Sequence, residues 1–209
     1  MPVIFGELTA TYRPSAVSNP RSMAAAANGQ YLLVSREAYD AVGGHAAVGT
    51  SLLDDVALAR AVKSTGRRIF FRFGGDMVRA RMYRSLPQLT EGWTKNLALL
   101  FAEPRWLAFC RCSEFALIVG GLSFLLASWT KGISPLAMAA LALSGTVWYF
   151  FLQRVRSAHF SWQSNLLALF GLPFFAYLLL RSKRFHKRGT VSWKGRTYAG
   201  DAARVSPLP

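Results

Sequence analysis

The sequence predicts an α/β segment over residues 1–84, an interfacial amphipathic helix over 85–111, two to three transmembrane helices within 112–180 and a basic tail over 181–209. Three observations carry this. The windows Phe115–Thr130, Gly132–Gln153 and Ser157–Leu180 contain no Lys, Arg, Asp or Glu. The basic residues behind the formal net charge of +15 crowd the edges of those windows. Upstream, short β-branched runs and helical periods are separated by glycine turns. A chain that is 52% hydrophobic yet strongly positive suits either a nucleic-acid binder or a membrane protein. Nucleic-acid binders spread Lys and Arg along an exposed face. The clustering seen here favours the membrane as partner, and no nucleic acid.

A crossing helix needs about 20 mainly apolar residues. The second window meets this, and the first does so by taking in Cys112, Ser113 and Glu114. The third contains Asn165 and Pro173, which predict a kinked or re-entrant path. Trp129, Trp148, Tyr149, Trp162 and Tyr177 lie near window ends, where rings sit at the headgroup level. Lys131 is the lone charge of the first connector. Arg105 and Arg111 precede the first window, Arg154 and Arg156 fill the second connector, and Arg181, Lys183 and Arg184 open the tail. The positive-inside tendency therefore places the α/β segment, the second connector and the tail on the cytoplasmic side of the inner membrane. Three full crossings would put the tail on the other side. Either one window, the third being the best candidate, does not cross fully, or the tail departs from the tendency. Cys110 and Cys112 are too close for an ordinary disulfide and complete no metal cluster. Residues 1–20 lack the basic start and apolar run of a cleavable leader.

Within the first segment, residues 1–27 carry Pro2, Pro14 and Pro20 and read as an irregular lead-in with a short helix near Arg21–Ala27. Gln30–Ser35 reads as a buried strand, and Arg36–Val42 as a helical turn ended by Gly43 and Gly44. Leu53–Ser64 has a helical period and stops before Gly66. Arg68–Phe73 and Met77–Met82 read as two more strands around a tight turn at Gly74–Asp76. Ser85–Cys110 is amphipathic and rich in Trp, Lys and Arg, as suits a helix lying in the interface.

The chemistry-bearing residues lie between Ala27 and Asn96. Asp54 and Asp55 open a helix, where capping and the helix dipole favour carboxylates anyway. The same placement suits a base that takes a proton from a hydroxyl. Asn28-Gly29-Gln30 forms a loop in which Gly29 permits close backbone approach, though an ordinary turn accounts for it equally. Gly43-Gly44-His45 forms a glycine turn. Trp93 suits either stacking on a ligand ring or anchoring in the interface. Lys95, Arg81 and Arg84 suit either a diphosphate or lipid headgroups.

In order and spacing, these pieces resemble the second half of the catalytic domain of membrane-associated family 2 glycosyltransferases. The pieces are Asn28-Gly29-Gln30, Arg36 with Tyr39, Gly43-Gly44-His45, Leu53-Asp54-Asp55-Val56, Lys63 with Gly66, Arg81-Met82-Tyr83 and Glu91-Gly92-Trp93-Thr94-Lys95-Asn96. The group acting on carotenoid-type and hopanoid-type lipids is the nearest in look, and the tail Val191–Tyr198 extends the likeness over residues 24–198. The resemblance implies the C-terminal part of a GT-A (Rossmann-like) domain. It also implies inverting transfer of a sugar from a nucleotide sugar to a lipid or membrane-embedded acceptor. On it, Asp55 falls on the general base and Asp54 replaces the usual Glu, while Asn28, Gly29, Gly44, Arg81 and Trp93 fall on the substrate side. Processive relatives carry Gln-x-x-Arg-Trp where this chain has Gln88-Leu89-Thr90-Glu91-Gly92-Trp93. That departure fits transfer of a single sugar better than polymer synthesis. A divalent metal, Mg or Mn, belongs to the full-length family through an Asp-x-Asp motif that this chain does not contain. The expectation is therefore an N-terminally truncated enzyme that does not transfer sugar alone. The alternative is a non-catalytic membrane module, either a degenerate remnant or a subunit. A transporter component is disfavoured, because the windows carry no charge beyond Glu114 at one edge.

Overall fold

A computed structural model describes residues 1–74, 77–78, 80–128, 134–193 and 196–198. It overturns the α/β, GT-A-like fold class, because among the described residues the chain is helical. The only paired strands among the described residues are β1 (Val191–Trp193) and β2 (Arg196–Tyr198), an antiparallel hairpin with Val191 opposite Tyr198. Among the described residues, none of the three segments read as strands pairs with another strand. Residues 67–74 are irregular; the Phe71 N–H donates to Ser18 Oγ at 3.0 Å, and Arg67 reaches Glu37 Oε1 at 3.1 Å. Residues 30–35 leave an Asx turn, in which the Gln30 N–H donates to Asn28 Oδ1 at 3.1 Å. β-Branched composition reports that a backbone is extended; a sheet also needs a second edge to take its N–H and C=O groups. The Met77 N–H does close a turn onto the Gly74 carbonyl at 3.0 Å, whereas Gly75, Asp76 and Arg79 lie outside the described residues.

The chain divides into two compact units. The first comprises residues 1–10 and 103–180. It holds most of α1 (Pro2–Thr11), α7 (Pro104–Ser128), α8 (Pro135–Arg156) and α9 (Trp162–Leu167), and the apolar part of α10 (Gly171–Arg188). Three helical stretches, Pro104–Ser128, Pro135–Arg156 and Trp162–Arg188, are long and apolar enough to cross a membrane, with mean hydropathies of 1.6, 1.6 and 1.5. The third is interrupted by a 3₁₀ turn at Ala168–Phe170. Pro173 lies in the first turn of α10, where its missing N–H costs little but prevents α9 from running straight through. α7 and α8 pack through small residues: a Cβ on Gly121 would come within 2.6 Å of Ser144 Cβ, and Ser144 Oγ donates to the Ile118 carbonyl at 2.9 Å.

Glu114, the one charge at the edge of a window, belongs to a buried four-member ion cluster. Arg154 reaches Glu7 Oε1 at 2.7 Å and Glu114 Oε2 at 2.6 Å, and Arg111 pairs with the same two carboxylates. Two guanidiniums and two carboxylates balance, which is the condition for holding charge away from water. Glu7 comes from α1, a helix the proline-rich lead-in concealed. Its Pro2, like Pro14 of α2 (Pro14–Ser18), stands at a helix start, where proline is favoured.

The second unit comprises residues 11–102 and 181–209. α3 (Arg36–Ala41) is capped by Ser35, and α4 (Gly44–Val48) follows Gly43. α5 (Asp54–Ser64) buries Val56, Leu58, Ala59 and Val62, as its helical period predicts, and stops before Gly66 at φ 79°. α6 (Leu86–Leu100) buries Gly92, Trp93, Thr94 and Leu97. The sequence segment 85–111 thus holds two helices, because Phe101 takes an extended conformation and Pro104 starts α7.

Candidate functional site

Asp55 sits at the start of α5 and binds outside its own helix. Its Oδ2 accepts the Gly29 N–H at 2.7 Å, joining positions 26 residues apart, while Oδ1 accepts the Val56 N–H at 2.8 Å. The second bond ties down the helix start; the first clamps the Asn28–Gln30 loop over it. A carboxylate offers about four lone-pair positions, so two N–H bonds leave acceptor capacity for a proton. Burial raises the Asp55 pKa above the ordinary carboxylate value, against the lowering pull of the Gly29 and Val56 N–H groups; Asp54 adds to the rise, and Lys95 opposes it. A carboxylate moved toward neutrality is a better general base.

The elements around Asp55 are pinned by single polar contacts. Lys95 Nζ, on α6, donates to the Leu52 carbonyl at 3.1 Å, just ahead of α5. The sequence offers Lys95 as a diphosphate or headgroup cation, whereas the fold sets it beside Asp55. Ser182 on α10 is fully buried, and its Oγ takes the Ala98 N–H at 2.8 Å and donates to the Thr94 carbonyl at 2.6 Å. The hydroxyl thereby inserts into the α6 ladder, a recognised cause of helix bending. A ring nitrogen of His186 meets the Lys95 carbonyl at 2.8 Å. Lys63 Nζ donates to the Val17 and Ala24 carbonyls at 2.7 and 2.5 Å, holding down the irregular lead-in. Ser182 and His186 escaped sequence reasoning because each binds a backbone carbonyl or N–H that no residue pattern marks, and Lys63, which the sequence singled out only as part of the resemblance, acts in the same way.

The other sequence candidates divide. Asn28 and Gly29 come together with Asp55. Gly29, however, is not sterically required: an added Cβ would meet Asp55 Oδ2 at 3.5 Å, an ordinary contact. Asp54 is exposed, and its Oδ1 accepts the Asp55 N–H at 3.1 Å. Gly44 is required by its backbone, at φ 58°, and by the Tyr39 ring, whose Cε1 would lie 2.4 Å from an added Cβ. Tyr39 also binds His45, through the His45 N–H at 2.9 Å and Nδ1 at 2.8 Å. Trp93 is 2% exposed, with its ring edge-on to Tyr83 at 6.4 Å, so it fills the interior and offers no open stacking face. Arg81 is exposed to solvent.

Gln88, the first residue of the motif position, serves α6. Ser85 Oγ accepts the Gln88 N–H at 3.4 Å, and Gln88 Oε1 accepts the Arg84 N–H at 3.0 Å, a variant of the capping box. Gly92 admits Tyr83, whose hydroxyl would lie 2.4 Å from an added Cβ. Burial pushes the Tyr83 phenol up to about 12.

Among the described residues, no group of three or more His, Cys, Asp or Glu side chains gathers as a bound metal would need. The Mg or Mn expected from the resemblance finds no fitting ligand set among them.

A family model described as glycosyl transferase family 21 matches residues 7–203. Among curated proteins, the 4,4'-diaponeurosporenoate glycosyltransferases of Staphylococcus aureus strains USA300 and NCTC 8325 / PS 47 are each 32% identical over 178 residues. The match covers 82% of this chain and 46% of theirs. The corresponding protein of strain MRSA252 is 31% identical over the same shares. The chain thus spans about half the length of the curated relatives it matches. No solved structure matches significantly.

Proposed function

Because the chain belongs to glycosyl transferase family 21, we propose that it supplies the acceptor side of a glycosyltransferase that moves one sugar from a nucleotide sugar to a lipid in the cytoplasmic leaflet of the inner membrane. The matching family carries the number 21 where the sequence suggested family 2. The coarser reading, a membrane-associated glycosyltransferase of the lipid-modifying type, is common to both.

The observation that carries the proposal is the Asp55–Gly29 clamp, set on a carboxylate whose burial makes it a stronger base. In the reaction, the acceptor hydroxyl oxygen attacks the anomeric carbon of the donor sugar and its proton passes to Asp55. The bond from that carbon to the nucleoside diphosphate breaks, and the configuration inverts. Asn28 and Gly29 shape the wall above the base. Lys95 opposes the rise in the Asp55 pKa and so favours the ionised form. No donor-binding residues are assigned within this chain, which matches 46% of the relatives' length. Membranes carrying the chain together with a donor-binding half from a relative should transfer labelled sugar from a nucleotide sugar into the lipid fraction. Membranes carrying the chain alone should not. Robust transfer by the purified chain alone would sink this division of labour.

A second reading concerns the acceptor. The relatives are named for a diaponeurosporenoate, a carboxylate. A carboxylate acceptor is already an anion and needs no base, so Asp55 would then only hold the loop.

A further inference from the structure

We propose that the cavity between α6 and the basic end of α10 holds the headgroup of a zwitterionic phospholipid bearing a primary amine. The cavity has a volume of about 340 Å³ and is lined by Leu86, Pro87, Glu91, Thr94, Arg181 and Phe185, among others. It is small for a ligand site, where volumes of about 300–1,000 Å³ are usual. A headgroup fits it, and a whole lipid does not.

Its level is set by the sequence of α10. Residues 157–180 carry no charge, and from Arg181 the same helix bears Arg181, Lys183, Arg184, Lys187 and Arg188. An abrupt change from apolar to basic marks the headgroup layer on a spanning helix. Arg181 stands at that change and lines the cavity.

The polar groups select the ligand. Arg181 is oriented rather than loose: its Nε donates to Thr94 Oγ1 at 3.1 Å, and its guanidinium carbon lies 4.6 Å from the centre of the Phe185 ring. A guanidinium held in this way suits a phosphate. Glu91 adds a carboxylate to the same lining. An anionic headgroup would place like charge beside Glu91, whereas a headgroup with phosphate and ammonium answers both side chains. A primary ammonium also donates hydrogen bonds to a carboxylate, which a quaternary one cannot. Leu86, 63% exposed at the rim, offers an apolar exit for the acyl chains.

The proposal does not depend on sugar transfer, and its test reads lipid. The chain is purified in mild detergent, stripped of lipid and offered equal amounts of phosphatidylethanolamine, phosphatidylcholine and phosphatidylglycerol with identical acyl chains. Bound lipid is counted by native mass spectrometry. The wild type should favour phosphatidylethanolamine. E91Q, which preserves size, should lower its ratio to phosphatidylglycerol about two- to fivefold, the range for a partly exposed charge pair. R181Q should lower retention of all three lipids by a similar factor, with helical content checked by circular dichroism because the Thr94 bond is lost. Equal binding of the three lipids, a preference for phosphatidylglycerol set by the tail lysines and arginines, or a ratio unmoved by E91Q would each overturn it.

Discussion

Replacing Asp55 by Asn separates a base from a structural clamp, because the two roles predict different magnitudes. The carboxylate accepts N–H groups from Gly29 at 2.7 Å and from Val56 at 2.8 Å. Asn retains one acceptor oxygen and turns an NH₂ toward the second donor. One charge-assisted bond lost costs about 1.5–3 kcal/mol. The relief of burying a charge, the same cost that raises the Asp55 pKa, offsets part of this. A net loss of about 1 kcal/mol remains, which lowers a thermal midpoint by about 2–4 °C in a chain of this size. Turnover should fall much further, by about 10²–10⁴-fold, the usual contribution of a positioned general base. The assay measures transfer of labelled sugar to a hydroxyl-bearing lipid, with the donor-binding half supplied and protein level equalised by immunoblot. Turnover within about tenfold of wild type would refute the base assignment. So would a loss of turnover that merely tracks the loss of folded protein. A carboxylate-bearing acceptor gives a further contrast, since its transfer should survive Asp55→Asn.

The other expectations follow from the same neighbourhood. Asp55 must be ionised to act, and its pKa is raised by burial, so the acid limb of the turnover profile should lie above the ordinary Asp value. Lys95→Met removes a charge that lowers this pKa, so the limb should move to still higher pH; an unmoved limb would assign it to another group. The folded state binds the Asp55 proton more tightly than the unfolded chain does. Its contribution to stability is therefore full below the unfolded pKa and lost as pH rises through the folded one, a decline that Asp55→Asn should flatten in pH-dependent melts. Gly92→Ala forces the Tyr83 ring aside and should destabilise by about 1–2 kcal/mol despite better helix propensity, while Gly29→Ala should be nearly neutral; thermal melts of both decide it. Ser182→Ala removes the hydroxyl inserted between Thr94 and Ala98 and should cost about 1 kcal/mol, visible as a lowered midpoint by Trp fluorescence.

The apolar helices and the start and stop of α5 were readable from residues alone, whereas the Ser35 and Ser85 caps emerged only with the fold. The readable elements depend on local chemistry: charge-free length and a 3.6-residue period. The kink signalled by Asn165 and Pro173 is realised as the 3₁₀ turn at Ala168–Phe170 for the same local reason. The expected strands failed because pairing is not a local property. Residues 30–35 and 68–73 carry strand-forming side chains, yet among the described residues no second edge meets them. Gly29 and Asp55 are adjacent only because the lead-in folds over α5, with Lys63 gripping the carbonyls of Val17 and Ala24. Trp93 reads equally well as a stacking platform or an anchor until Tyr83 and the buried face of α6 enclose it. Sequence alone determined which parts of this chain are long and apolar enough to cross a membrane and which residues carry titratable chemistry. Tertiary structure alone decided which of those residues meet, because burial, hydrogen-bond partners and the resulting pKa depend on contacts between segments far apart in the chain.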